Sequence, residues 1–263
     1  MTPFLAMVRK ELAVLFGSPL AYVVLTLVAL VSSLIFFDHL RVYNQILFVF
    51  ASTTMGGFET DTIPDYVNLR DQVFFPVMEN LGFVLILLVP MITMRSFAEE
   101  RSRGTDELLV TTLLTPGQIV LAKFVVTLAF VALMMVTSFV YPALAIREGG
   151  LGLEHLLAVF LGLLFLASGL AALGLACSAF SRNQLVAAVA ALALGFVLWD
   201  FSWASGFLTE GSMRFLDGIS FHPHYRFFAE GVVILSHVAY FVGVVIVCFA
   251  LARFSFDLRR VAG

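Results

Sequence analysis

The chain has 263 residues, of which 61% are hydrophobic and 13% charged, and a net charge of −3. An ordinary soluble domain carries about a quarter charged residues, so this composition excludes a water-soluble globule and demands lipid as the solvent. The small net charge, without a basic run or aromatic-basic interleaving, excludes a nucleic-acid partner.

Residues 1–18 predict a helix lying along a membrane surface. Thr2 suits its cap and Pro3 its first turn. Phe4, Leu5, Val8, Leu12, Leu15 and Phe16 form an apolar stripe, while Arg9, Lys10 and Glu11 face the headgroups. Gly17-Ser18-Pro19 then breaks the helix.

Hydrocarbon about 30 Å thick requires roughly 20 mostly apolar residues per crossing. Six stretches meet that need, predicting spans at about 20–37, 77–97, 119–141, 155–180, 184–201 and 231–252. A helix satisfies its backbone internally, and no stretch alternates as a barrel strand does. The expected fold is therefore all-α, one polytopic domain over 1–263. A cleaved signal peptide is the rival reading of the first stretch, but nineteen structured residues precede it where a short basic start is needed. Ser181-Arg182-Asn183-Gln184 makes a tight turn between the fourth and fifth spans. Two longer outer connections, 38–79 and 200–230, remain; within the first, 42–58 reads as a short helix leaning on the outer face.

Charge sets the orientation. With the N-terminus inside, ten of the fifteen lysines and arginines fall on the cytoplasmic side, and twelve of the eighteen acidic residues on the other. That satisfies the positive-inside rule and puts both termini in the cytoplasm.

Between spans two and three runs a cytoplasmic loop with strong local chemistry. It contains Glu99-Glu100-Arg101, punctuation at Gly104, then Thr105 as an N-cap with Asp106 and Glu107 where a helix dipole favours negative charge. Leu108 and Leu109 follow on a short helix, left free for contact. Thr115-Pro116-Gly117-Gln118 reads as a capping box that launches span three.

Chemistry of other kinds is sparse. A P-loop needs a lysine after glycine, and neither Lys10 nor Lys123 follows one, so the chain is expected to bind no nucleotide. No metal is expected: His222-Pro223-His224 lacks a nearby acidic or cysteine ligand. Cys177 and Cys248 read as inert buried thiols. His237, about two turns into the last span, is a possible intramembrane polar site, more simply a neutral imidazole bonded to a neighbouring helix.

Several motifs together carry a family resemblance. Val8-Arg9-Lys10-Glu11-Leu12 followed by Phe16-Gly17-Ser18-Pro19-Leu20-Ala21-Tyr22 resembles the opening of type-2 ABC transporter permeases, and most closely the GldF-like (gliding-motility-associated) subfamily. The run from Met91 to Glu100, continuing Gly104-Thr105-Asp106-Glu107-Leu108-Leu109, looks like that subfamily's hallmark, and Ser181 to Gln184 and Phe227 to Gly231 fit as well. The resemblance implies an N-terminal elbow helix and six spans in the bacterial inner membrane. It also implies a coupling helix, with Glu99 to Leu109 docking into an ATPase. Two permease copies, as a homodimer or paralogous heterodimer, would work as an exporter with two ABC ATPase subunits that hold ATP and Mg. One departure is the stretch Val232 to His237, apolar except Ser236 and His237, where the family commonly has charge. The outer connections could dock a periplasmic auxiliary subunit.

Two other classes compete. A self-sufficient secondary transporter would show paired repeats, broken helices and mid-membrane ionisable residues. Ser168 and His237 suggest a rhomboid-like intramembrane protease, yet Leu166 stands where that family needs glycine. Ser168 more simply permits close helix packing, together with Gly162, Gly169 and Gly174.

Overall fold

The computed structural model describes residues 3–55, 67–105, 114–148, 152–202, 207 and 209–262. Among them every element is helical. In chain order these are α1 (Pro3–Phe16), α2 (Pro19–Met55), a π-helical turn (Arg70–Phe74) leading into α3 (Phe75–Thr93), α4 (Arg95–Ser102) and α5 (Pro116–Glu148). After them come α6 (Leu153–Phe180), α7 (Gln184–Val197), α8 (Glu210–Ile219), α9 (Phe221–Ala229) and α10 (Leu235–Ala262). Among the described residues five segments are long and apolar enough to cross a membrane: Pro19–Ser52, Arg70–Ser102, Pro116–Val140, Leu153–Phe180 and Leu235–Leu258.

The central element is α6, which packs against α3, α5, α7, α9 and α10. Its glycines make that possible. A Cβ on Gly162 would meet Phe228 Cβ at 2.1 Å, and one on Gly174 would meet Thr93 Oγ1 at 2.1 Å. Lipid is as apolar as leucine, so burial gives helices little reason to associate, and close packing at small residues supplies it. The outer surfaces stay apolar, as lipid allows: Leu30 and Leu34 on α2 and Ile246 and Val247 on α10 are all more than half exposed.

The structure corrects several predicted boundaries. The first span does not stop at 37, because α2 runs on without a break to Met55. No glycine or proline lies between Pro19 and Met55, so nothing ends the helix, and Asp38 and Arg41 simply lie along it. At 37 residues it is about 55 Å long, well beyond hydrocarbon thickness. The short separate helix expected at 42–58 is thus the end of α2 as far as Met55, and 56–66 lie outside the described residues. The last helix begins at Leu235, four residues later than expected, because Gly231 turns the chain at φ +84°.

The expected fifth span, 184–201, is a 14-residue helix, too short to cross alone. Its C-terminal carbonyls are taken by another helix. Phe221 N–H donates to Leu198 O at 2.8 Å and His222 N–H to Trp199 O at 2.9 Å. Each helix thereby satisfies orphan groups of the other. From that junction α9 runs along α6, with Phe221 near Gly169 and Phe228 at Gly162. The stretch predicted as an outer loop therefore holds a helix with one buried face, Phe221, Tyr225 and Phe228. Tyr225 is fully buried and donates to Met78 O at 2.6 Å.

Candidate functional site

At the end of the bundle that carries α1, the break between α3 and α4 is held open by one hydroxyl. In an unbroken helix Ala98 N–H would bond to Met94 O. Here Ser178 Oγ of α6 stands between them, accepting from Ala98 N–H and donating to Met94 O, both at 3.1 Å. It also accepts from Phe97 N–H at 3.1 Å. A side chain inserted into the ladder bends a helix, so Ser178 sets the angle at which α4 leaves α3. Ser178→Ala is expected to cost about 1–3 kcal/mol, because a buried amide loses its partner. Thermal unfolding in detergent measures it, and an unshifted transition would refute this role.

Arg101 fastens the other side of α4. Its Nη1 donates to Ser181 O at 3.0 Å and its Nη2 to Ser255 Oγ at 3.2 Å, while Ser255 Oγ donates to Ala179 O at 2.7 Å. These contacts tie α4 to the ends of α6 and α10. Around them lies a separate apolar cluster of Met7, Phe97, Ile119, Val120, Leu175 and Phe256, with Phe97 and Phe256 edge to face at 5.1 Å.

The strongest feature is a buried ionic network. Lys123 of α5 is 2% exposed, and its ammonium lies 2.9 Å from Glu11 Oε2 of α1 and 3.0 Å from Glu100 Oε2 of α4. Lys10 closes the ring, at 3.1 Å from Glu11 Oε1 and 2.8 Å from Glu100 Oε1. Burial alone would push the Lys10 pKa down, but the hydrogen bonds and charges of Glu100 and Glu11 outweigh it and hold it above the usual value. Lys123 also sits 5.1 Å from the centre of the Phe97 ring. Two cations and two anions thus join three helices that are distant in sequence.

This revises what several sequence-predicted residues do. Glu11 turns into the bundle, not toward headgroups, because a buried lysine needs its charge. Lys10 bridges α1 to α4, and Arg9 is exposed. Glu100 and Arg101 spend their polar groups inside the chain. Glu99 pairs with Arg103 at 2.6 Å one helical turn on, a pair open to solvent. Lys123, Ser178 and Ser255 were not expected at the site. Only the lysine carried a signal in the sequence, as a charge set inside an otherwise apolar helix.

The loop punctuation forms in part as predicted. Gly104, at φ +67°, ends α4, with its N–H donating to Arg101 O and Thr105 N–H to Glu100 O, the double bond of a Schellman cap. Thr105 Oγ1 points back to Glu100 O at 3.1 Å. Asp106, Glu107, Leu108 and Leu109 lie outside the described residues, as does Thr2. The capping box is present: Gln118 Oε1 accepts from Thr115 N–H at 3.0 Å, and Thr115 Oγ1 from Gln118 N–H at 3.3 Å.

At the opposite end His237 lies in the first turn of α10, not two turns in. It stacks on Phe227 at 4.6 Å and meets His224 edge-on at 5.0 Å, and its Nδ1 has no hydrogen-bond partner. His222 bonds Glu79 at 2.8 Å, whereas His224 bonds Ser220 O, so their shared motif sends them to different partners. Ser168 Oγ donates to Phe165 O of its own helix at 2.7 Å, the back-bonding of a packing serine.

Long apolar helices with lipid-compatible outer faces define a multi-pass α-helical membrane protein. A family model for ABC-2 family transporter proteins matches residues 57–254, more than half of the chain, and the chain belongs to that family. A search of curated proteins found no match.

Proposed function

We propose that the chain is the membrane-spanning permease subunit of an export-type ABC transporter, of the GldF-like (gliding-motility-associated) subfamily. It sits in the bacterial inner membrane with both termini in the cytoplasm. Separate ABC ATPase subunits hold ATP and Mg, and two permease copies, identical or paralogous, assemble with two of them. The six crossings are the five long segments plus α7 and α9 acting in series; end to end, these 14- and 9-residue helices reach about 35 Å. In this reading α1 is the elbow helix, and the segment from α4 through Leu109 receives the ATPase stroke.

The observation that carries this reading, beyond family membership, is the fastening of α4. Ser178, Arg101 and the Lys123 network tie it to α1, α5, α6 and α10, so a push on it would move the whole end of the bundle. Ser102 to Thr105 stay exposed beyond that clamp. The division of labour follows: Glu100 and Arg101 transmit, while Arg103 to Leu109 touch the partner.

The test is reconstitution with the ATPase that copurifies from native membranes. Glu107→Lys should cut permease-stimulated ATP hydrolysis about tenfold, the effect of losing about 1.4 kcal/mol at the contact. Insertion and folding should be unchanged, and undiminished stimulation would count against the coupling role. Secondary transporters also use helices broken within the membrane, as the α7–α9 pair would be. Transport by the purified chain without any ATPase would establish that alternative.

A further inference from the structure

A cavity of about 560 Å³ opens between α1, α2, α4 and α5, beside the ionic network. One wall is apolar, made by Leu20, Ala21, Ile92, Val126 and Phe130. The other is charged, and its charges balance except for one. Lys10 and Lys123 are matched by Glu11 and Glu100, and Arg103 by Glu99. Arg95 remains. Its Nη1 donates to Ser18 Oγ at 2.7 Å, but its Nε is closed off from solvent and has no hydrogen-bond partner. No carboxylate among the described residues pairs with it.

An uncompensated guanidinium at the head of an apolar cavity is costly unless something anionic joins it. The planar fork of arginine suits a phosphate oxygen pair, and the Leu20–Phe130 wall suits hydrocarbon. A free inorganic anion would leave that wall wet, and a zwitterionic phospholipid would bring a further cation to a cavity whose lining already carries one unmatched positive charge. We propose that this cavity binds one anionic phospholipid, its phosphate on Arg95 and an acyl chain along Leu20, Ala21 and Phe130. The site depends on the chain lying in a membrane and not on any ATPase, so binding without nucleotide tests it apart from the coupling role.

The full chain, purified in a neutral maltoside detergent, is titrated with a fluorescent short-chain phosphatidylglycerol. Phosphatidylcholine of the same chain length and inorganic phosphate serve as comparators. Phosphatidylglycerol should bind saturably at one per chain, about tenfold more tightly than phosphatidylcholine, and millimolar phosphate should not displace it. Arg95→Gln should weaken binding about tenfold, the value of one charge-assisted contact. Leu20→Trp, which fills the apolar wall and leaves Arg95 in place, should do the same with helicity unchanged. Equal binding of the two lipids, displacement by phosphate, or full affinity in the Leu20→Trp protein would each overturn the proposal.

Discussion

Lys123→Met should destabilise the folded chain by about 3–5 kcal/mol, the cost of stranding a buried charge by removing its partner. Here two carboxylates are stranded at once. Glu11 and Glu100 side chains are 11% and 16% exposed, and with Lys123 gone only the half-exposed Lys10 remains to them. Methionine matches the lysine stem in volume, so the loss reads charge and not packing. The triple variant Lys123→Met, Glu11→Gln, Glu100→Gln should recover much of the stability, because the charges then leave together. Thermal unfolding in detergent of the single and triple variants decides the matter. A single variant as stable as the parent, or a triple variant less stable than the single, would show that the network does not hold α1 and α4 in place.

Gly231→Ala should cost about 2–4 kcal/mol, from two separate causes. The residue sits at φ +84°, where any Cβ is strained, and a Cβ there would come within 1.8 Å of His155 Nδ1. Gly231 also ends α9, its N–H donating to Phe228 O at 2.9 Å, and Val232 N–H donates to Phe227 O. Pairing the change with His155→Ala separates the causes. The double variant should regain the steric part and keep the backbone part, leaving a coupling of about 1 kcal/mol or more between neighbours. Additive losses would mean that His155 simply moves aside.

Local chemistry was legible wherever a residue acts on its own helix. The Thr115–Gln118 capping box, the stop at Gly104 and the turn at Ser181 to Gln184 all depend on groups within a few residues. Packing at Gly162 and Gly174 was legible too, because small residues in an apolar helix have few other uses. The role of Glu11 was misread because a charge on an amphipathic stripe normally seeks water. Its partner lies 112 positions away, and no periodicity reports such a pairing.

The all-helical class and the membrane as solvent follow from composition and spacing, since hydrocarbon thickness and backbone satisfaction act on each segment separately. Six long apolar stretches were expected, whereas five are found among the described residues. The junction between α7 and α9, the bend at Ser178 and the Lys10–Glu11–Glu100–Lys123 ring came only with the tertiary structure. Each arises where a backbone or charged group buried by one helix is satisfied by another far along the chain. The firm seat of α4 is likewise made by α1, α5, α6 and α10 and not by α4 itself.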